Sequence, residues 1–153
     1  MHALRSSLII TILLMFSWVA NADSILQTID GEHIPLSSLR GKWVFINYWA
    51  SWCQPCVNEI TEFNRFYAAN KNNVAVFAVN YDSLPLSKQQ RLIKKFNIHY
   101  PSLKYKSLVF LNLGNISVVP ITFVLNPQGK LSTTLLGGQT RRNLEEAMSE
   151  GAF

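Results

Sequence analysis

The chain has 153 residues, 48% of them apolar and 15% charged, with a net charge of +5. That much apolar material supports a packed core and excludes a disordered chain. The cations are dispersed, from Arg40 and Lys42 to Arg141 and Arg142, which reads as a solvated basic surface and argues against nucleic-acid binding.

Residues 1–22 read as an export signal. Arg5 precedes an uncharged run, Leu8 to Ala20, and Ala20-Asn21-Ala22 is an A-x-A cleavage pattern that places the mature start at Asp23. The alternative is a retained anchor, for which the run is shorter than the about 20 residues of a membrane span. No cysteine follows the run, which argues against a lipid anchor. Export implies a periplasmic or other extracytoplasmic location, tethered to the inner membrane if the segment stays uncut. Residues 23–153 then suit a single domain.

Gln27 to Lys42 reads as a short strand, a turn at Asp30-Gly31, a second short strand and a loop. Trp43 to Trp49 (WVFINYW) is a near-continuous apolar run and predicts a buried strand. After Ala50-Ser51-Trp52 a helix is expected from about Cys53 to Asn70, with Ile60, Phe63, Phe66 and Tyr67 on one face. Val74 to Tyr81 predicts a second buried strand, and Lys88 to Phe96 a basic amphipathic helix. Asn97 to Val119 has no clear period; within it Leu108 to Leu113 fits helix or strand equally. Ile121 to Leu125 and Lys130 to Leu136 read as strands around the turn Asn126-Pro127-Gln128-Gly129, and Thr140 to Met148 as a last helix. Strands alternating with helices and closing on a hairpin predict an α/β fold, a mixed central sheet flanked by helices.

Both cysteines sit in one C-x-x-C, Cys53 and Cys56, just after a buried strand. If the motif opens a helix, the free N–H groups and the helix dipole favour a thiolate at Cys53. A thiolate is the species that attacks a disulfide. Cys53 is therefore expected to be the exposed nucleophile, and Cys56, one turn on, to resolve the mixed disulfide. Pro55 is tolerated in a first helical turn. A purely structural disulfide is a poor competitor, because so small a ring gains only about 2 kcal/mol of chain entropy, against about 4.7 for a 100-residue loop. A zinc site is a poor one too, since no second C-x-x-C or H-x-x-x-H accompanies the pair and His33 and His99 stand apart.

At these residues the chain resembles the thioredoxin superfamily. Phe45 to Cys56 (FINYWASWCQPC) is similar to its active-site segment. Asn47, Glu59, Val119-Pro120-Ile121-Thr122 and the following FVLNPQGK look closest to the TlpA/ResA/CcmG branch of exported thioredoxin-like proteins. The similarity runs from about Ile25 to Met148. It implies a thioredoxin-like fold with an N-terminal β-hairpin extension and a central insert near 85–115. It also implies a cis peptide before Pro120, packed beside the cysteines, and substrate binding along Trp52, Val119 and Pro120. Glu59, three residues beyond Cys56 on the same helical face, is implied to tune the cysteines and relay a proton; its bland reading is a solvated first-turn acid. Asn47 stands where thioredoxin carries a buried aspartate, which leaves Glu59 the only acid in local sequence reach.

The activity implied is dithiol–disulfide exchange without haem, metal or other cofactor. The resemblance points to a reductant of disulfides in exported proteins, apocytochrome c among them, recharged by a membrane thiol transporter of the DsbD or CcdA type. Gln54-Pro55 is compatible with either redox direction, so a thiol oxidant or isomerase of the DsbA type is the alternative. A non-catalytic thioredoxin-like binding module is the second.

Overall fold

A computed structural model of the chain describes residues 23–150, and the expected export segment lies outside them. Ile25–Gln27 (β1) and His33–Pro35 (β2) pair antiparallel as a separate two-stranded sheet, the expected N-terminal hairpin. Leu36–Leu39 follows as a 3-10 turn. Trp43–Trp49 (β3) spans the whole apolar run, and Val74–Asn80 (β4) pairs with it in parallel along its full length. Ile121–Leu125 (β6) and Leu131–Leu136 (β7) form the closing hairpin. β6 lies antiparallel against the other edge of β3.

With Ser102–Leu103 as β5, the central sheet is ordered β5-β4-β3-β6-β7. Its edge strand β5, Ser102–Leu103, was not expected from the sequence. Two residues carry no period, and this strand exists because β4 offers its edge. The ambiguous stretch beyond it is a 3-10 helix, Tyr105–Leu111, ending at Asn112 in the left-handed conformation (φ 46°). It starts three residues before the expected run. The helix Leu86–Lys95 (α2) also begins two residues earlier than its apolar pattern, because Pro85 sets its N-terminus.

β3 is buried on both faces, so its alternation sorts side chains between two cores. Phe45 and Trp49 face Ile60, Phe63 and Phe66 of the helix Gln54–Asn70 (α1), together with Leu144 and Ala147 of Arg141–Glu150 (α3). Val44, Ile46 and Tyr48 face the opposite way, onto Leu26, Leu103, Leu108 and Ile116 from the hairpin and the insert. Parity puts Asn47 on the α1 side, where an amide in an apolar layer must find a partner. Among the described residues no helix is long and apolar enough to cross a membrane.

Candidate active site

α1 begins where β3 ends. Cys53 is its N-cap, with extended backbone (φ −90°, ψ 102°), and Pro55 occupies the first turn, where a missing N–H costs nothing. The cysteines are disulfide-bonded, with Cα atoms 5.3 Å apart. The Cys56 N–H donates to the Cys53 sulfur at 3.3 Å, so the sulfur takes the place of a capping oxygen at the positive end of the helix. A thiolate formed there on reduction inherits that donor and the dipole.

Cys56 is fully buried, but Cys53 is only 5% exposed, less open than the sequence led one to expect of a nucleophile. Two contacts explain this. The N-cap conformation turns the sulfur inward, and the Val119 carbonyl oxygen approaches it to 3.6 Å. Val119–Pro120 is a cis peptide at the entry to β6, as the resemblance implied. Pro120 is buried and Val119 half-buried. Trp52, by contrast, is 66% exposed, and its indole N–H donates to both oxygens of the Asp82 carboxylate at 3.0 and 3.1 Å. Val118, next to Val119 in the chain, is exposed. Cys53 and Val119 thus meet across the start of α1 and the loop before β6, with Trp52 and Pro120 their immediate chain neighbours.

Glu59 is not the solvated acid of the bland reading; it is 2% exposed. Asn47 Nδ2 donates to its Oε1 at 2.7 Å, and the Gln139 backbone N–H donates to its Oε2 at 2.8 Å. The register that sets Asn47 opposite Thr122 also lets the same amide donate to Thr122 Oγ1 at 3.1 Å. Burial pushes the Glu59 carboxyl up to about 7, against the two hydrogen bonds from Gln139 and Asn47, which favour the charged form. An acid poised there exchanges protons near neutral pH. A cleft of about 420 Å³ lined by Pro55, Glu59, Glu62 and Gln139 connects the region with solvent.

Asp82 and Gln139 were not singled out from the sequence. They meet Trp52 and Glu59 across 30 and 80 residues, and no local spacing signals such contacts. Among the described residues no cluster of three or more His, Cys, Asp or Glu side chains is placed to hold a metal ion.

Residues 20–134 match the AhpC/TSA family. The chain is 31% identical over 125 residues to the thiol-disulfide oxidoreductase ResA of Halalkalibacterium halodurans, an alignment covering 81% of this chain and 70% of that protein. To ResA of Bacillus subtilis it is 29% identical over 126 residues, 82% of this chain and 70% of that one. Its fold is similar to StoA from Bacillus subtilis, with TM-score 0.67 and 27% identity, over 80% of this chain and 93% of that one. A DsbF homologue from Corynebacterium diphtheriae is similar with TM-score 0.69 and 25% identity, over 82% and 83% of the two chains. A redox-capable cysteine pair capping the first helix of a thioredoxin-like sheet, in a chain that shares most of its length with such relatives, establishes that this chain belongs to the AhpC/TSA family of thioredoxin-like proteins and is a thiol–disulfide oxidoreductase.

Proposed function

We propose that the protein is a reductant of disulfides in exported proteins, with apocytochrome c before haem attachment as the leading client. Residues 1–22 serve as export signal or retained anchor, and residues 23–153 work as one domain outside the cytoplasm. Electrons arrive from a membrane thiol transporter of the DsbD or CcdA type, and no haem, metal or other cofactor takes part.

The Cys53 thiolate attacks one sulfur of a client disulfide, and the other client sulfur leaves as a thiolate and takes up a proton. Cys56 then gives up its proton, attacks the Cys53 sulfur and displaces the second client thiolate. Two electrons have passed to the client, and the Cys53–Cys56 disulfide remains. The client segment lies along Trp52, Val119 and Pro120. Glu59 is the acceptor of the Cys56 proton, one helical turn away.

The observation that carries this reading is the buried Glu59 carboxyl, raised to about 7 by burial and set one helical turn beyond the buried Cys56. The exposed Trp52 beside a nearly covered sulfur supports docking of a protein rather than of a small thiol. The test is the equilibrium reduction potential of the couple. A value near or below thioredoxin's, about −270 mV, supports a reductant; a value near DsbA's, about −120 mV, replaces it with an oxidant. Cys56→Ser should trap a mixed disulfide through Cys53, whereas Cys53→Ser should trap none. Full reductase activity in Cys53→Ser would overturn the mechanism.

A further inference from the structure

The turn between β7 and α3 lies across the start of α1. A Cβ added at Gly138 would stand 3.5 Å from the Pro55 carbonyl oxygen and 3.8 Å from its Cβ, so the turn passes one methyl's width from the proline between the cysteines. Gly137, with φ +76°, makes the bend, and its N–H donates to the Pro120 carbonyl at 3.0 Å. This one turn therefore runs beside the C-x-x-C loop and is hydrogen-bonded to the proline before β6 and, through the Gln139 N–H, to Glu59.

Gln139 itself is 7% exposed, unusual for a glutamine in a turn. Its side-chain amide folds back and donates to the carbonyls of Leu136 at 3.2 Å and Gly137 at 2.8 Å. Its Oε1 accepts a long bond, 3.5 Å, from Asn143 in the first turn of α3. Both Nε2 hydrogens are spent on the two residues that lead into the turn. The side chain thus locks the peptide whose N–H points at Glu59 Oε2, while its own hydrogen bonds go elsewhere.

We propose that Gln139 is a positioning residue for the redox reaction: its side chain holds the β7–α3 turn so that the Gln139 N–H stays on the Glu59 carboxylate, which sets the pH range in which Glu59 accepts the Cys56 proton. The proton-transfer half of this statement rests on the function proposed above; the positioning half does not.

The surroundings of Glu59 leave this donor few rivals. On its own helix stand Cys56 and Glu62; Glu62 is engaged by Arg65 and by the Arg141 backbone N–H. From β3 comes the neutral Asn47, bonded also to Thr122 of β6. Tyr100, ahead of β5, is held neutral by burial and by the Glu59 charge. From α3, the Arg141 guanidinium pairs with Glu145.

The test uses the full chain in its disulfide form, where neither cysteine titrates. Glutamate carboxyl carbons are labelled, and the Glu59 signal is assigned by its loss in Glu59→Gln. Gln139→Met keeps the bulk of the side chain but has no donors. Its Glu59 titration midpoint should rise by about one pH unit, the effect of weakening one charge-assisted hydrogen bond. In the reduced enzyme, the rate of mixed-disulfide resolution below that midpoint should fall about tenfold at fixed pH, and not at all in a Glu59→Gln background. Should Gln139→Met fail to fold, Gln139→Asn, too short to reach both carbonyls, should give a smaller shift of the same sign.

A folded variant with an unchanged midpoint would overturn the proposal. So would a fall, which would make the turn a seal against water rather than a holder of the donor. A raised midpoint with an unchanged rate profile would keep the positioning of Glu59 but remove its part in proton transfer, and so would count against the proposed mechanism.

Discussion

Asn47 and Glu59 meet at 2.7 Å between the middle of the central strand and the second turn of the helix that carries the cysteines. With the Gln139 N–H on the other oxygen, the carboxyl group has one donor on each side. Asn47→Leu removes one donor without adding a charge. The Glu59 midpoint should then climb above its present value of about 7, because the charged form loses a hydrogen bond while burial stays. Asn47→Asp should do so more strongly at neutral pH, since two adjacent carboxyl groups share one proton and titrate as a pair. Carboxyl-carbon titration of the two variants checks both, and a lowered midpoint in either would contradict the geometry.

The same burial makes folding stability depend on pH. The Glu59 carboxyl is raised from an ordinary value of 4.5 to about 7. Between those two pH values the folded chain keeps a proton that the unfolded chain has lost. The stability present below pH 4.5 should therefore decline as pH rises through 7. At roughly 1.4 kcal/mol per pH unit, the whole gap is worth about 3 kcal/mol. Urea unfolding at pH 5 and at pH 8 should show most of that loss, about 2.5 kcal/mol, in the wild type. In Glu59→Gln, which stays neutral, the loss should shrink.

Trp52 is held to Asp82 by its indole N–H, although its ring is largely in solvent. Asp82→Ala frees the ring to adopt other rotamers. If the ring docks clients, KM for a protein disulfide should rise about fivefold, the equivalent of about 1 kcal/mol, with kcat little changed. Exchange with a small dithiol, which has no need of the ring, should keep its rate. A loss confined to kcat would show that Asp82 acts on the chemistry instead.

Leu144 is fully buried where α3 meets the layer formed by α1 and β3. Leu144→Ala should cost about 2–5 kcal/mol, for lost transfer energy plus a cavity between packed elements. The urea midpoint should fall with an unchanged slope. Because α3 follows directly on the turn that carries Gln139, Glu59 should also titrate over a wider range in this variant, which the same carboxyl signal reports.

Much of the architecture is written in local pattern. WVFINYW, short, near-continuously apolar and rich in aromatic and β-branched residues, reads as a buried strand, and β3 covers those seven residues. The cysteine pair three residues beyond it was expected near the start of the next helix, and Cys53 is the N-cap of α1. The closing hairpin follows from Asn126 to Gly129, where a turn separates two runs of alternating or apolar residues. These features depend on neighbours within a few residues, and period and turn chemistry report them.

The chemistry around the pair depends on contacts that local pattern does not carry. Spacing put Glu59 on the face of Cys56 but left a solvated acid as the competing reading. Its burial follows from β3 parity, which turns Asn47 toward α1, and from a turn 80 residues away that supplies the second donor. Cys53 is covered because the loop before β6 closes over it, bringing Val119 across 66 residues. β5 is a strand of two residues that only the edge of β4 could create. Sequence decided where the cysteines sit and which helix end they cap, since those are matters of neighbouring residues. Packing decided how much water and which donors surround them, since desolvation and hydrogen bonding across the sheet exist only once distant segments are brought together.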